Sequence, residues 1–218
     1  MHRTNKRLAL AAGVIAALLA SVALVACGSS NNDSTTTAAY ANGTDRAFAT
    51  EMIAHHQAAI DMAKVAQDKA TKPEIQQLAD DIVAAQQSEI EQMQKKNQQL
   101  ADQNIQATDL GLSDSMMGMS MNDKELMNSK QFDRTFIDMM IPHHQGAIRM
   151  ARVELAKGKD PQMRELAQAV IAAQSTEIAK MNHWREQWYG ASSPAGGVPP
   201  KDEKMDPQMD HQGMDHSM

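Results

Sequence analysis

The sequence predicts an all-α fold, namely a four-helix bundle built from two copies of one αα-hairpin. A segment that begins at Met52 recurs from Met140, and this offset of 88 residues holds without a gap across residues 45–100 and 133–188. Within each copy, apolar residues recur at steps of three and four, which is the period of an amphipathic helix. One hairpin cannot bury its apolar face alone, so the two copies are expected to pack together with pseudo-twofold symmetry.

The first copy, residues 44–102, is expected to contain two helices. Thr44 is the expected N-cap of the first helix, and Asp45 lies in its first turn. Pro73 is expected to separate the helices, because proline lacks a backbone donor and suits the first turn of a new helix. The second helix is expected to run from about Glu74 to Asp102.

The second copy, residues 129–189, repeats this plan with its turn at residues 157–161. Pro142 lies inside its first helix and is expected to kink or break it. Residues 103–128 form a linker whose Met-rich part, at 115–121, holds too much Gly and Ser for a good helix. The chain then becomes rich in Gly, Ser and Pro, and residues 190–218 are expected to be disordered without a ligand.

The N-terminus has the layout of an export signal. A basic start is followed by an apolar run and then by Cys27, the only cysteine of the chain. The position of Cys27 resembles that of the lipidated cysteine in bacterial lipoproteins. Residues 1–26 are therefore expected to be a signal peptide, and residues 27–43 a lipidated tether on the outer side of the cytoplasmic membrane or in the periplasm. The alternative is a transmembrane anchor.

Charge and composition narrow the class of ligand. Removing the three cations of the signal takes the formal charge from −6 to −9, and an acidic exported protein is poorly suited to bind nucleic acid. A negative surface favours cations, including metal ions. Without further cysteines, the mature chain has neither an internal disulfide nor a thiolate metal site. The chain has 18 methionines but only 3% aromatic residues, so methionine is the unusual component.

Two adjacent pairs of histidines lie at matching positions of the two copies, on helix faces expected to point inward. Neutral imidazole is a common ligand of transition metals, and pseudo-symmetry would bring the pairs toward one another. Methionines flank each pair at helical spacing. The alternative is that the histidines are satisfied core residues and that the methionines fill gaps in the core. These candidate ligands are His55, His56, His143, His144, Met52, Met62, Met140 and Met150.

The methionines of the linker and of the C-terminal tail lie in polar sequence that has no core to fill. Thioethers select Cu(I), and imidazole also accepts copper, so a Met-rich segment in an exported protein argues for copper or silver. The alternative is a low-complexity tail without function. The candidate tail ligands are Met205, Met209, His211, Met214, His216 and Met218.

Polar residues on the inner face of the second helix also match between the copies. Gln86 and Glu89 of the first copy correspond to Gln174 and Glu177 of the second. A buried carboxylate needs a partner, and a hydrogen bond to a ligating histidine would supply one. The alternative, weighed equally, is a partly exposed position near the end of the bundle.

The doubled Met-Ile-x-His-His-Gln motif, with Ala-x-Gln-x-x-Glu-Ile-x-x-Met downstream, resembles the domain of unknown function 305 family. The resemblance covers residues 45–189. It implies a ferritin-like four-helix bundle and a similarity to exported copper-binding and copper-resistance proteins with His and Met ligands. It does not transfer the chemistry of ferritin, because fold alone does not fix function.

The leading hypothesis is an exported lipoprotein that binds Cu(I) without catalytic turnover, uses no organic cofactor, and buffers copper or delivers it to a copper-transport protein or a cuproprotein. One alternative is a metal-free bundle that has a structural or partner-binding role. Another is a di-iron oxidoreductase, but such sites need a Glu three residues before each ligating His, and these positions hold Met52 and Ile53, Met140 and Ile141. The sequence does not determine the oligomeric state.

Overall fold

The computed structural model describes residues 41–120 and 123–203, and within these ranges the chain forms helices and no strands. The helices are α1 (Gly43–Lys69), α2 (Pro73–Asp102), α3 (Asp123–Asn128), α4 (Phe132–Lys157) and α5 (Pro161–Tyr189). The four long helices are the two predicted hairpins, and the all-helical fold is confirmed. The short helix α3 lies in the linker, where the sequence analysis did not predict a helix.

The two hairpins are joined mainly through their first helices. Helix α1 packs on α2, α4 packs on α5, and α1 also packs along α4, so α1 and α4 form the centre of the bundle. The core consists of two clusters of buried apolar residues, each of which takes side chains from both copies. Phe48 and Phe136, which correspond in the repeat, are both fully buried, one in each cluster. No helix among the described residues is long and apolar enough to cross a membrane.

The helix ends agree with the predicted boundaries, with two differences. The N-cap of α1 is Asn42 rather than Thr44, because the Asn42 side chain accepts hydrogen bonds from the first turn, while the Asn42 backbone N–H donates one to the Asp45 carboxylate. Pro73 occupies the first turn of α2 as expected. Pro142 does not break its helix, since α4 continues without interruption from Phe132 to Lys157.

Two aspartates at corresponding positions fasten each hairpin to the turn of the other. One Asp45 oxygen accepts hydrogen bonds from the backbone of Lys159 at 2.7 Å and of Asp160 at 2.8 Å, in the α4–α5 turn. Asp133 accepts from the backbone and hydroxyl of Thr71 and from the backbone of Lys72, in the α1–α2 turn. Both aspartates are buried. These bonds satisfy donors that the helix N-termini would otherwise leave unpaired, and they follow the pseudo-twofold symmetry.

A buried glutamate lies beside one of these aspartates. The Glu154 side chain is fully buried, and burial together with the nearby Asp45 carboxylate raises the pKa of Glu154 to about 9. The first copy has Ala66 at the corresponding position, so this carboxyl group has no symmetry partner. Glu154 is therefore protonated, and neutral, in the folded protein at neutral pH.

We expect Glu154→Gln to stabilise the protein near pH 8 by roughly 1–3 kcal/mol. The folded-state pKa lies above the ordinary value of 4.5, so folding takes up a proton between these two pH values and stability falls as pH rises from about 4.5 to 9. Glutamine has the shape of the neutral glutamic acid but cannot ionise, so the variant should not lose stability as the pH rises. Urea unfolding across this pH range would show it, with the exposed Glu165→Gln as the control. An unchanged pH dependence in Glu154→Gln would contradict the assignment.

Residues 190–203, which we call the C-terminal strap, follow the bundle surface instead of forming the start of a disordered tail. Gln145 donates hydrogen bonds to the carbonyls of Ala195 and Gly197, and Asn182 donates to Gly196. The strap is thus hydrogen-bonded to α4 and α5, and the predicted tail boundary at residue 190 lies before an ordered segment. The predicted signal peptide, Cys27 and the Met/His residues of 205–218 lie outside the described residues.

Candidate metal site

The four predicted histidines meet in the middle of the bundle. His55 and His56 lie on α1, His143 and His144 lie on α4, and each is at most 1% exposed. The rings of His55 and His143 contact each other across the pseudo-twofold axis, with centroids 3.7 Å apart and planes inclined by 39°. The helical period that predicted an inward-facing stripe accounts for their burial, and the packing of α1 on α4 accounts for their meeting.

The second histidine of each pair is held by a glutamate from the same hairpin. His56 Nε2 lies 2.7 Å from Glu89 Oε2, and His144 Nε2 lies 2.5 Å from Glu177 Oε2. A carboxylate accepts the Nε2 proton, so this contact fixes the tautomer and leaves the lone pair on Nδ1. In both imidazoles Nδ1 is buried and has no hydrogen-bond partner among the described residues.

The first histidine of each pair is kept neutral by its surroundings. Burial lowers the pKa of His55 to about 3, and burial together with the neighbouring imidazoles lowers the pKa of His143 well below its ordinary value. His55 Nε2 donates to the Met117 carbonyl oxygen at 2.8 Å. Its Nδ1 has no partner among the described residues, nor has either nitrogen of His143. Both rings thus carry unshared lone pairs at neutral pH.

Buried nitrogens without hydrogen bonds are costly unless a ligand satisfies them, and here four imidazoles share that property. Among the described residues, no three His, Cys, Asp or Glu side chains are placed so that they could hold a metal ion together, so the four imidazoles do not form a complete site by themselves. Thioether sulfurs are the remaining soft donors in this core. The donor set therefore fits a soft cation that accepts imidazole and thioether together.

The flanking methionines are arranged on both sides of the histidines. Met52 and Met150 belong to one apolar cluster, and Met62 and Met140 belong to the other. Of these four methionines, each cluster therefore holds one from α1 and one from α4, as expected for antiparallel neighbours related by the pseudo-twofold axis. All four side chains are at least 96% buried. Core filling and ligation both agree with this burial.

Two of the predicted supporting residues do not contact the imidazoles by hydrogen bonds. Gln86 and Gln174 are buried, and the side-chain oxygen of each has no partner among the described residues. Glu89 and Glu177 do contact histidines, and each side chain remains 17% exposed. A hydrogen bond to histidine and a partly exposed position were alternatives from the sequence, and these two glutamates have both properties.

The Met-rich part of the linker covers the histidines, which the sequence analysis did not predict. Residues 113–120, here called the Met-rich loop, are folded by backbone hydrogen bonds such as Met119 N to Asp114 O at 2.8 Å. Gly118, with φ of +70°, lies so close to α4 that a Cβ atom there would be 2.4 Å from the Pro142 oxygen. A Cβ on Gly146 would be 1.8 Å from the Met117 oxygen. The loop backbone thus packs directly on the second histidine pair.

A difference between the two copies of the repeat could have predicted where this loop packs. The first copy has Ala58 where the second has Gly146, although helices favour alanine over glycine. A glycine that replaces alanine on an otherwise retained helix face indicates a close backbone neighbour. Here that neighbour is the backbone of Met117.

We expect Gly146→Ala to destabilise the protein by about 1–3 kcal/mol, although the same change in an exposed helix stabilises by about 1 kcal/mol. The reversal of sign follows because the new methyl group would overlap the Met117 backbone. The loop must move away, so limited proteolysis should cut residues 113–120 faster in the variant. Ala58→Gly is the matched control, and it should lose only the small amount of stability that comes from the higher helix propensity of alanine. Stabilisation by Gly146→Ala would show that the loop does not pack here.

Comparisons with known proteins agree with this architecture. The family model described as Domain of unknown function (DUF305) matches residues 29–97, 45–185 and 133–218. Among solved structures, CopM in the Cu(I)-bound form is 38% identical, with a TM-score of 0.58 over 67% of this chain and 98% of CopM. CopM is also known in Ag-bound, apo and Cu(II)-bound forms.

Two further relatives are less informative about ligands. A DUF305 protein from Streptomyces coelicolor is 25% identical, with a TM-score of 0.59 over 69% of this chain and 96% of that protein. An uncharacterised protein of Acanthamoeba polyphaga mimivirus is 40% identical over 50 residues, which are 23% of this chain and 33% of that relative. The match thus spans about a third of the length of the viral protein. The resemblance to CopM covers 67% of this chain and includes metal-bound forms.

Proposed function

Because this chain belongs to the DUF305 family, and because its bundle is similar to that of the copper-bound CopM, we propose that it binds Cu(I) at the buried histidines. The observation that carries this proposal is the set of four buried imidazoles whose Nδ1 atoms have no hydrogen-bond partner among the described residues. Neutral imidazoles in a core rich in thioethers suit a soft monovalent cation, and Ag(I) should bind in the same way.

The proposed ligands combine both copies of the repeat. His55, His56, His143 and His144 would supply nitrogen, and the methionines of the two flanking clusters would supply sulfur. Glu89 and Glu177 would orient His56 and His144 by accepting their Nε2 protons, at 2.7 and 2.5 Å. We propose that this arrangement would hold the ion for buffering, resistance or delivery of copper, without catalysis.

Export and anchoring form part of the same proposal and are supported by the sequence. The basic and apolar leader with Cys27 at its end is typical of an exported lipoprotein. Anchoring would hold the metal site at a membrane surface, where copper enters or leaves the cell and where a copper-transport protein or a cuproprotein could exchange the ion. Cys27→Ser should leave the precursor without lipid, which mass spectrometry of the cellular protein would detect.

A competition titration tests the metal. The mature full-length chain is titrated anaerobically with Cu(I) in the presence of a chromogenic Cu(I) chelator, and in parallel with Fe(II) and Zn(II). We expect Cu(I) to be retained most tightly, because the donors are imidazole and thioether without thiolate. Imidazole ¹⁵N signals of the buried histidines should shift with the first equivalent. Retention of iron alone would indicate the di-iron alternative, and no retained metal would indicate a metal-free bundle.

A further inference from the structure

We propose that a cavity between α4, α5 and the C-terminal strap binds an amphiphilic anion, that is, a small molecule with an alkyl chain and one anionic head group. The cavity has a volume of about 480 Å³, within the range of roughly 300–1,000 Å³ that is typical of small-molecule sites. This inference is independent of the proposed copper function, because no residue that lines the cavity is a candidate metal ligand.

Three segments of the chain build the walls of the cavity. Helix α4 contributes Leu155 and Ala156, α5 contributes Ile171, and the strap contributes Lys201. Leu155 and Ile171 are partly buried and pack against the apolar core, so this wall is an edge of the core that remains open to solvent. An alkyl chain that lies against this wall would remove apolar surface from water, which is favourable in proportion to the area buried.

Two arginines of α4 hold the strap over the cavity. Arg152 donates hydrogen bonds to the carbonyls of Pro199 at 2.7 Å and Pro200 at 2.8 Å. The Nε and Nη2 atoms of Arg149 each lie 2.9 Å from a carboxylate oxygen of Glu203, in a bidentate ion pair. Because these contacts fix the strap at several points, its wall of the cavity is formed without the help of a ligand.

The polar side of the cavity has an excess of positive charge. Arg149 is neutralised by Glu203, whereas Arg152 binds only neutral carbonyl groups among the described residues. Lys201 is exposed and pairs with no carboxylate in the part of the chain that the structure describes. Two cations beside an apolar wall are thus without a counter-charge, in a chain whose formal net charge is −6. A ligand with a negative head and an apolar body matches this distribution.

The first copy of the repeat has an acidic surface at the positions that line this cavity in the second copy. Three aspartates of the first copy are replaced there by cationic or neutral residues. The corresponding pairs are Asp61 and Arg149, Asp68 and Ala156, and Asp80 and Gln168. These exchanges turn a surface that favours cations into one that favours an anion, in the copy that the strap covers.

A fourth difference between the copies supplies the apolar wall. In the first copy, the Gln67 amide donates a hydrogen bond to the Asp80 carboxylate at 2.9 Å, which bridges α1 and α2. The second copy has Leu155 and Gln168 at these positions, so an apolar side chain replaces one partner of the polar bridge. The four exchanges together give the second copy both the charge and the apolar wall that an amphiphilic anion requires.

The experiment is a titration of the mature chain, residues 28–218, with decanoate below its micelle concentration, measured by calorimetry and by amide ¹H–¹⁵N spectra. We expect saturable binding at one site. The amide signals of Leu155, Ile171 and Lys201 should shift, while those of Gln67 and Val83, the first-copy counterparts of Leu155 and Ile171, should not. Decyltrimethylammonium, which has the same alkyl chain and the opposite charge, should bind roughly tenfold more weakly or less.

Returning two lining positions to the residues of the first copy tests the role of charge. Ala156→Asp with Gln168→Asp places two negative charges on exposed positions beside the cavity, and it should weaken decanoate binding by roughly tenfold or more. Lys201→Gln removes one cation and should weaken binding by about two- to fivefold. The matched controls are Gln94→Asp and Lys95→Gln on the exposed face of α2, and both should leave binding unchanged.

Several results would overturn the proposal. Equal binding of decanoate and decyltrimethylammonium would mean that the charge of the cavity does not select its ligand, and equal shifts with acetate would mean that the alkyl chain is not bound. Unchanged affinity in the double aspartate variant would place the ligand elsewhere, and the absence of saturable decanoate binding would exclude the site. Binding to phosphatidylglycerol vesicles without binding of soluble decanoate would instead indicate a membrane-contact surface. None of these titrations contains copper, so their outcome is separate from that of the proposed copper function.

Discussion

Replacing all four paired histidines by alanine is expected to lower the affinity of the tightest Cu(I) site by roughly 1000-fold or more, because every nitrogen donor of the proposed core site is removed. The thioethers that remain in the core would have to hold the ion alone. The tail, whose Met and His residues are separate in sequence, should keep its capacity. Titration of His55→Ala/His56→Ala/His143→Ala/His144→Ala against a Cu(I) chelator would measure both effects.

A milder pair of substitutions guards against loss of folding in that variant. Glu89→Gln with Glu177→Gln keeps all four imidazoles but removes the carboxylates bound to His56 and His144. Loss of such a supporting contact typically costs about 10–100-fold in metal affinity, and the helical content should not change. Full high-affinity binding in the quadruple histidine variant would instead mean that the histidines are structural and that methionine segments are the site.

Replacing Asp45 and Asp133 by alanine is expected to be the most destabilising change outside the site, at about 2–4 kcal/mol for each residue. Each substitution leaves at least two backbone N–H groups of a turn without their acceptor in a buried place. Asp45 binds the α4–α5 turn and Asp133 binds the α1–α2 turn, at opposite ends of a bundle whose helices are roughly 40 Å long. The two losses of stability should therefore add. Urea unfolding of the single and double variants would measure them.

Asp61→Ala serves as the control for these variants. Asp61 is exposed on α1 and, among the residues that the structure describes, accepts a hydrogen bond from Gln57 of the same helix, so a change near zero is expected. If Asp45→Ala cost no more than Asp61→Ala, the contacts between the hairpins would not contribute to stability. A cost for the double variant well below the sum would mean that the two ends of the bundle are coupled.

The repeat and the helical period were sufficient to predict the four long helices and the inward placement of the histidines. Both predictions use only the spacing of residues along the sequence, because residues three and four places apart lie on the same face of a helix. The meeting of His55 with His143 followed from the symmetry of the duplication. The N-cap at Asn42 was missed by two residues, since several adjacent side chains can cap a helix and the geometry decides among them.

What the sequence analysis missed are contacts between segments far apart in the chain. The Met-rich loop was expected to be an open linker because its composition disfavours a helix, yet its backbone packs on Pro142 and Gly146. The strap was assigned to a disordered tail for the same reason, although Arg149 and Arg152 bind it. Amino-acid composition indicates which secondary structure a segment disfavours, but it does not show whether the segment packs on a distant part of the chain.

The exchange of caps through Asp45 and Asp133 suggests how such a protein could have arisen. Each hairpin is completed by a side chain from the other, which is the reciprocal pattern of an isologous dimer, in which one patch meets its own copy. A single ancestral hairpin could therefore have formed the bundle as two separate chains, with both caps and both histidine pairs in place. Fusion of two such chains would let the copies diverge, and the loop contacts Pro142, Gly146 and Arg149, at which the two copies differ.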